Sequence, residues 1–271
     1  MVFSIIKKKR YTLKVTFLGT GTSQGIPVIG CTCEVCQSAD PKDNRLRTSI
    51  LLSKGPVNIA IDCGPDFRQQ MLRAKVDHLN AVLLTHEHND HVIGMDDVRP
   101  FNFSSGTNMS IYATEEVQKK IKARFAYVFA ANPYPGAPRL ELHTISKDKD
   151  FWVKGIKVKP MEVLHGRLPV LGFRFDDFTY ITDAKTITES ELAKLKGTKT
   201  LVLNALHHNI HHTHLSLSEA LEWIKRIAPE RAYLLHLSHK MGCHKAINDQ
   251  LPEGVELAYD GLTLEFPEEE G

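Results

Sequence analysis

The stretch AVLLTHEHNDHVIG, residues 81–94, constrains this chain more than any other part of its sequence. Its apolar start has the composition of a buried strand, and the polar side chains begin where that strand should end. These side chains are His86, His88, Asp90 and His91. Because alternate side chains of an extended segment share a face, the first two histidines point the same way, whereas the aspartate and the last histidine follow a bend and can face a second ion. Imidazole and carboxylate groups suit Zn, Mn or Fe(II), so the stretch predicts a metal site at the end of a strand.

The bulk composition indicates an ordinary globular protein. The chain has 271 residues, 42% hydrophobic and 24% charged, so one large core suffices and a single domain over residues 1–271 is expected. The formal net charge of +2 gives no reason to expect nucleic acid as a partner. No stretch approaches the roughly 18 consecutive apolar residues of a membrane span. The opening MVFSIIKKKR is apolar and then basic, the reverse of a secretory signal, so we expect a cytoplasmic protein.

Short β-rich runs alternate with a few helical patterns along the chain. Strands are predicted over residues 12–18, 49–52, 57–62, 81–85, 110–113, 156–163, 171–175, 179–182, 200–203, 232–235 and 255–259. Apolar residues with a helical period predict helices over residues 67–75, 115–126, 189–195 and 217–227. Clusters of antiparallel-looking strands interrupted by helices favour an α/β (α+β) fold. Its expected form is a four-layer αββα sandwich, with two mostly antiparallel or mixed sheets inside and helices outside.

A cysteine cluster precedes the metal motif. GCTCEVCQ contains Cys31, Cys33 and Cys36, whereas the other two of the five cysteines, Cys63 and Cys243, stand alone. Lasting disulfides are rare in the cytoplasm, so a metal clamp is the preferred interpretation of the cluster. Three thiolates leave a tetrahedral zinc site one ligand short, and one imidazole from elsewhere in the chain would close it.

Three later segments, VLHG, YITDAK and LLHLSH, follow the metal motif in the order seen in the metallo-β-lactamase superfamily, which the chain resembles over nearly its whole length. The resemblance implies the αββα fold and a hydrolase with two divalent active-site metals, Zn or Mn. It implies one metal held by His86, His88 and His165, a second held by Asp90, His91 and His236, and Asp183 as the bridge between them. In such an enzyme, hydroxide held between the two ions attacks the substrate. Asp90 is predicted both as a metal ligand and as a catalytic residue.

The N-terminal stretch LGTGTSQGIPVIGCTCEVC, followed by NRLRTS, resembles the phosphoribosyl 1,2-cyclic phosphate phosphodiesterase branch of this superfamily. In that branch a C-terminal histidine joins the cysteine cluster in a structural zinc site. The corresponding residue is His239, with Cys243 or His244 as the alternative fourth ligand. The same resemblance makes His214 the candidate general acid, and an imidazole has a fitting pKa for protonating a leaving oxygen near neutral pH. The implied activity is hydrolysis of a small phosphodiester, cyclic or linear.

Cationic side chains near these motifs are candidates for binding the substrate, because a guanidinium can grip a phosphate through two hydrogen bonds. Arg99 follows the metal motif, and NRLRTS offers Arg45 and Arg47. Of these we predict Arg99 and Arg47 as substrate-binding residues. The stretch AANPYPGAPR, residues 130–139, is either a plain connection or a lid over the site.

Other functions are left open by the sequence. DCGPDFRQQML also resembles tRNA 3′-processing endonucleases, but no long basic arm for tRNA follows, so nucleic acid is a disfavoured partner without being excluded. A carboxylic ester, thioester or lactone hydrolase would use the same metals, although the cysteine cluster and His214 argue against it. A non-catalytic metal-binding protein of cofactor biosynthesis, which the N-terminal stretch also resembles, would have lost ligands, whereas all seven positions are filled here. A small phosphodiester is the expected partner, no membrane is expected, and a homodimer is left open.

Overall fold

The computed structural model describes residues 11–267 of the chain. The segment MVFSIIKKKR, whose order of apolar and basic residues argued against a secretory signal, lies outside the described residues. Among the helices of residues 11–267, none combines the length and the hydropathy needed to cross a membrane.

The strands of the described residues form two sheets of seven strands each. In chain order they are β1 (Leu13–Gly19), β2 (Ser49–Lys54), β3 (Val57–Ile61), β4 (Ala81–Leu83), β5 (Met109–Ala113), β6 (Leu140–Thr144), β7 (Phe151–Val153), β8 (Ile156–His165), β9 (Leu168–Phe175), β10 (Phe178–Tyr180), β11 (Thr200–Asn204), β12 (Arg231–Leu235), β13 (Val255–Leu257) and β14 (Thr263–Phe266). The first sheet has the order β14-β1-β2-β3-β4-β5-β6, and the second has the order β13-β12-β11-β10-β9-β8-β7.

Both sheets are mixed in the same way. In the first sheet the pairs from β14 to β3 are antiparallel and the pairs from β3 to β6 are parallel. In the second sheet the pairs from β13 to β10 are parallel and the pairs from β10 to β7 are antiparallel. Each sheet is therefore half parallel and half antiparallel.

Seven α-helices lie in residues 11–267, and three of them begin at a residue whose side chain caps the free backbone groups. They are α1 (Phe67–Arg73), α2 (Asn89–Val92), α3 (Arg99–Ser105), α4 (Glu115–Arg124), α5 (Glu189–Leu195), α6 (Leu217–Ile227) and α7 (His244–Asn248). Short 3-10 turns cover Val35–Gln37, Pro41–Asp43, Ile93–Val98 and His239–Met241. Thr114 and Thr188 cap α4 and α5 through their side-chain oxygens. Ser216 and Glu219 form a complete capping box at the start of α6.

Alternation along the strands builds three apolar layers. Odd-numbered residues of β1 and β3, such as Phe17 and Ile61, pack between the sheets against Phe173 and Tyr233 of the second sheet. The outer face of the first sheet packs on α1 and α4, and the outer face of the second sheet packs on α5 and α6. Two sheets face to face with helices on both outer faces are the αββα sandwich, so the predicted fold class is confirmed.

One edge of the sandwich collects the carboxyl ends of several strands. Because β1, β3 and β4 run in one direction, their ends meet on one side of the first sheet, and β8, β10, β11 and β12 do the same in the second. The two edges are joined by the Thr22 N–H, which donates to Leu237 O at 2.9 Å, and by the Leu171 N–H, which donates to Thr85 O at 3.0 Å. The predicted metal-binding side chains lie on the segments that follow these strand ends.

Candidate metal centre

The metal motif connects β4 to α2. His86 and His88 lie between the end of β4 at Leu83 and the start of α2 at Asn89, and Asp90 and His91 lie within α2. This turn packs closely on the segment after β3, because a Cβ atom on Gly64 would lie only 2.0 Å from the carbonyl oxygen of Asp90. Only glycine permits that approach, and it brings the motif against the residues that follow β3.

The structure brings the predicted ligands of the motif together with those of the second sheet. Three compact groups have ligand atoms within 4.8 Å of one another. They are His86, His91 and Asp183; Asp90, His91 and His236; and His165, Asp183 and His214. Asp183 belongs to two of these groups, which is the arrangement expected of a bridging carboxylate. The second group is the set that the sequence assigned to one metal.

His88 is the one predicted ligand that none of these groups contains. Its side chain is exposed, whereas His86 and His91 are fully buried. Its ring nevertheless lies 4.6 Å from the ring of His86 and 5.2 Å from the ring of His165, measured between centroids. The three histidines predicted to share a metal are therefore neighbours at the mouth of the site.

The Nδ1 atoms of three histidines are anchored, which leaves each Nε2 free. The His91 Nδ1–H donates to Asp62 Oδ2 at 2.7 Å, and the His165 Nδ1–H donates to Thr213 O at 2.8 Å. Because the Thr85 hydroxyl donates to Asp62, its oxygen accepts from the His86 Nδ1–H at 2.9 Å. Metal-binding histidines are commonly oriented in this way, with one ring nitrogen held and the other presented to the ion.

The buried nitrogens that face the site lie near carboxylates but make no hydrogen bond with the protein. Within the described residues, His86 Nε2, His91 Nε2, His214 Nδ1 and both ring nitrogens of His236 are buried without a hydrogen bond. Buried polar atoms are nearly always paired, so a cluster of unpaired imidazole nitrogens beside carboxylates has the donor set of a metal site. The residues present therefore fit two divalent metal ions.

The electrostatics of the site also favour cations. Burial lowers the pKa of His91, but the carboxylates of Asp183, Asp62 and Asp90 outweigh this effect and raise that pKa well above its ordinary value. The carboxyl groups respond in the opposite sense, because the neighbouring histidines hold the pKa values of Asp90 and Asp183 well below the usual range despite burial. The carboxylates of Asp90 and Asp183 are therefore ionised at neutral pH, as ligands of a divalent cation must be.

Strained backbone conformations mark three positions at the strand ends. Asp62, Asp183 and His236 have φ values of 64°, 56° and 57°. Residues with side chains rarely adopt this left-handed region, and such conformations cluster at functional sites. Asn204 supports one of them, because its side chain donates to Ala184 O at 2.9 Å and accepts from the Ala184 N–H at 2.6 Å.

His214, the predicted general acid, lies beside the bridging carboxylate. Its Nδ1 atom is 3.7 Å from Asp183 Oδ1, and its ring centroid is 4.4 Å from that of His165 and 4.8 Å from that of His236. Burial, reinforced by His236, lowers the pKa of His214 to about 2. Its imidazole is therefore neutral at neutral pH before any substrate binds.

The cysteine cluster meets a histidine from the other end of the chain. The Sγ atoms of Cys31, Cys33 and Cys36 lie 3.2, 3.4 and 3.6 Å from His239 Nδ1. Zinc–sulfur and zinc–nitrogen bond lengths at tetrahedral angles give a separation of about 3.5 Å, so the four atoms have the spacing of a Cys3His site. His244, the alternative ligand, instead accepts through Nδ1 from the Arg45 guanidinium at 3.0 Å.

The arginines proposed to bind substrate are engaged by the protein itself. The Arg47 guanidinium pairs with Asp66 at 3.0 Å, and the Arg99 guanidinium pairs with Asp96 at 2.7 Å. Arg45 is buried and donates to Thr20 Oγ1 at 2.8 Å. Arg99 also donates to Gly136 O at 3.4 Å, which attaches residues 130–139 to the start of α3.

Two functional residues were missed by the sequence reasoning. Asp62 orients His91 and Thr85, and Asn204 holds the loop that carries Asp183. A signal for Asp62 was present, because it is a carboxylate placed directly after a strand, like the predicted ligands. Asn204 gave no comparable signal, since a single amide at the end of an apolar run has many uses.

Comparisons with known proteins agree with this geometry. The family model described as the beta-lactamase superfamily domain matches residues 57–237. A solved structure of a new diphosphatase from the PhnP family is 37% identical, covers 94% of this chain and 97% of that chain, and superposes with a TM-score of 0.88.

Two curated relatives match over part of their length. An octanoyltransferase of Porphyromonas gingivalis is 41% identical over 252 residues, which is 92% of this chain and 51% of that protein. A ribonuclease Z of Synechocystis sp. is 28% identical over 180 residues, which is 61% of this chain and 46% of that protein. The chain therefore spans about half the length of these relatives.

Proposed function

The chain belongs to the metallo-β-lactamase superfamily, and we propose that it is a dinuclear-metal phosphodiesterase that hydrolyses a small phosphodiester. The observation that carries the proposal is the cluster of unpaired imidazole nitrogens and ionised carboxylates at the edge of the sandwich. The likeness to a diphosphatase over nearly the whole chain supports phosphoric esters as the substrate class.

The residues of the chain have distinct tasks in this proposal. His86, His88 and His165 would hold one ion, Asp90, His91 and His236 the other, and Asp183 both. When bound, two divalent ions lower the pKa of water toward neutrality and neutralise charge that develops on a phosphoryl group. Asp62, Thr85 and Thr213 hold the Nδ1 side of the ligand histidines, so that each Nε2 would be available to an ion.

His214 is the proposed proton donor to the leaving oxygen. His214 lies at the site, beside Asp183 and His165, and its Nδ1 atom makes no hydrogen bond with the protein. Both features suit a proton donor. Burial keeps the imidazole neutral in the free protein, so His214 must take up a proton before it can act as a general acid. His211 is also close by, with its ring centroid 5.3 Å from that of His214.

The cysteine cluster is proposed to hold one structural zinc. The four ligand atoms have the composition and spacing of a closed site, which leaves no position for substrate. Hydrogen bonds from the Cys36 backbone and from His239 lower the pKa of Cys33 to about 6, and a lowered pKa favours the thiolate that zinc requires.

The phosphodiesterase proposal is tested with the purified protein loaded with Mn or Zn. We expect turnover of bis(p-nitrophenyl) phosphate, and a loss of at least about 100-fold in kcat/KM for Asp183→Asn, because that variant removes a bridging carboxylate. Asp77→Asn serves as the control, since Asp77 is an exposed residue that pairs with its neighbour His78. Turnover of a thioester or a lactone, with none of the phosphodiester, would contradict the proposal.

The ribonuclease Z relatives make a tRNA-processing activity the second candidate. A precursor tRNA with a 3′ trailer, supplied to the same metal-loaded protein, separates the two. Removal of the trailer at a rate well above that of the small diester would favour the endonuclease. The octanoyltransferase relative does not assign acyl transfer to this chain, because about half of that protein lies outside the match.

A further inference from the structure

An arginine lies in the hairpin turn between β8 and β9, close in the chain to a predicted metal ligand. Arg167 lies two residues after His165 and is exposed. In residues 11–267 it makes neither a hydrogen bond nor an ion pair, in contrast to Arg47 and Arg99, which are paired with aspartates. Two residues span at most about 7 Å, so the Arg167 backbone is held close to a predicted metal ligand.

The hairpin holds Arg167 in a defined place. Gly166 has a φ of 63° and Arg167 does not have a positive φ, which is the pattern of a tight two-residue turn of type II′. The turn packs on the loop that carries His214, because Thr213 Cγ2 lies 3.2 Å from the position of a Cβ on Gly166. The His165 Nδ1–H bond to Thr213 O, 2.8 Å long, fixes the same contact. Arg167 therefore belongs to the His214 side of the site.

Several imidazoles and one lysine lie near His211 on that side of the site. Burial lowers the pKa of His211, and the neighbouring groups that lower it further are His212, His207, His165 and Lys185. The Nδ1 atom of His211 accepts from the Thr213 N–H at 3.3 Å, so this ring has a defined orientation in the loop. The carboxylates Asp62, Asp90 and Asp183 are gathered where the ions would bind, and of these Asp183 also lies beside His214. Arg167 adds to that side a cation without a protein partner among residues 11–267.

We propose that Arg167 is a substrate-binding residue that recognises an anionic group, a carboxylate or a phosphate, on the leaving part of the phosphodiester. The inference rests on the proposed phosphodiesterase function, in which His214 protonates the leaving oxygen. A guanidinium on the same side meets the leaving part, whereas the ions take the scissile phosphate. Guanidinium binds carboxylate and phosphate through two parallel hydrogen bonds, which gives selectivity for an anion over a neutral group of the same shape.

A matched pair of substrates tests this inference. The two substrates are the methyl phosphodiesters of 4-hydroxybenzoate and of 4-hydroxybenzamide. Their leaving groups have a similar shape, but the first carries a carboxylate where the second carries a neutral amide. We expect Arg167→Gln to reduce kcat/KM about 10- to 100-fold for the carboxylate substrate, and less than about 2-fold for the amide substrate. Arg167→Lys should recover part of the loss, because lysine restores the positive charge but not the two parallel N–H donors of the guanidinium. An equal loss on both substrates, or none on either, would overturn the proposal.

The control and the second measurement separate this inference from the proposed function. Arg226→Gln changes an exposed arginine on α6 that pairs with Glu189, and it should leave both substrates unaffected. If the wild-type protein turns over neither diester, the phosphodiesterase proposal fails, and calorimetry decides the role of Arg167. The two diesters are then titrated into the metal-loaded wild-type protein and Arg167→Gln. A weaker Kd for the carboxylate diester alone supports the inference, and unchanged Kd values refute it.

Discussion

At the scale of single residues, the predicted metal centre depends on side chains that are not themselves predicted ligands. Asp62 accepts the Thr85 N–H at 2.9 Å, the Thr85 hydroxyl at 2.9 Å and the His91 Nδ1–H at 2.7 Å. These bonds fix the tautomer of His91 directly and that of His86 through Thr85. A buried carboxylate with three donors is therefore as much a part of the site as the ligands themselves.

Asp62→Asn tests this role. The amide oxygen can accept only some of these bonds, and its nitrogen opposes the His91 Nδ1–H, so the ring loses its orientation. We expect the affinity for the active-site metal to fall about 10- to 100-fold, measured by competition with a chelator and metal analysis. Asp77→Asn, a change of the same type at an 88% exposed side chain, should keep the wild-type affinity. Equal affinities in the two variants would show that Asp62 does not support the ligands.

At the scale of elements, the cysteine cluster joins the long N-terminal loop to the end of β12. His239 lies three residues after His236, so the same segment contributes to both predicted metal sites. The backbone reinforces this link, since the Leu237 N–H donates to Thr20 O at 3.0 Å and the Thr22 N–H donates back to Leu237 O at 2.9 Å. A zinc ion in the cluster would hold the loop in the register that supports His236.

Cys33→Ser should remove one zinc per chain. The remaining ligands cannot close a tetrahedral site, so we also expect Tm to fall by roughly 10 °C, as for the loss of a structural metal. Metal analysis and a thermal melt measure the two effects. Cys243→Ser is the matched control, because Cys243 lies outside the group of four ligand atoms. Loss of zinc in both variants would assign the fourth ligand to Cys243 instead of His239, and retention of zinc in Cys33→Ser would refute the proposed site.

At the scale of the whole molecule, the first and last parts of the described chain close on each other. The buried Arg45 guanidinium donates to His244 Nδ1 at 3.0 Å and to Ala258 O at 2.5 Å, contacts that span 199 and 213 residues of sequence. β14 likewise pairs with β1 in the first sheet, although all the other strands of that sheet precede residue 145. The C-terminal part of the chain is therefore needed to complete the N-terminal sheet.

The contact between Arg45 and His244 predicts a pH dependence of stability. Burial, followed by the charge of Arg45, lowers the pKa of His244 from 6.5 to about 4. The unfolded chain therefore binds the proton first, so this contribution to stability is complete above pH 6.5 and is lost as the pH falls toward 4. His244→Asn keeps an acceptor for Arg45 but cannot titrate. We expect its free energy of unfolding, from denaturant titrations, to fall less steeply than that of the wild type in this window.

His78→Asn provides the comparison for this experiment. The hydrogen bond to the Asp77 carboxylate raises the pKa of His78. The contribution of His78 to stability is therefore complete below pH 6.5, and it is lost as the pH rises through the pKa of the folded state. This variant should keep the wild-type slope between pH 6.5 and pH 4. A wild-type slope in His244→Asn as well would exclude the contact with Arg45 as a source of acid sensitivity.

The sequence predicted some elements better than others, for physical reasons. The run over residues 12–18 agrees with β1 to within a residue at each end, because its alternating apolar side chains fill the layer between the sheets. β6, β7 and β14 were not predicted. They are short or partly exposed strands at or next to the sheet edges, and β7 has only three residues. Such strands form because they pair with the free backbone N–H and C=O groups of a neighbouring strand. The local sequence pattern carries no information about that neighbour.

The sequence by itself determined the fold class and the chemistry of the side chains at the strand ends. Both depend on local order: apolar alternation sets which face of a strand is buried, and the residue after each strand reaches the edge of the sheet. Only the tertiary structure decided which groups meet there. It added Asp62 and Asn204 to the site, engaged Arg47 and Arg99 in ion pairs, and left Arg167 unpaired among the described residues. These outcomes depend on contacts between segments far apart in the chain, and a sequence pattern carries no information about which partner a side chain will find.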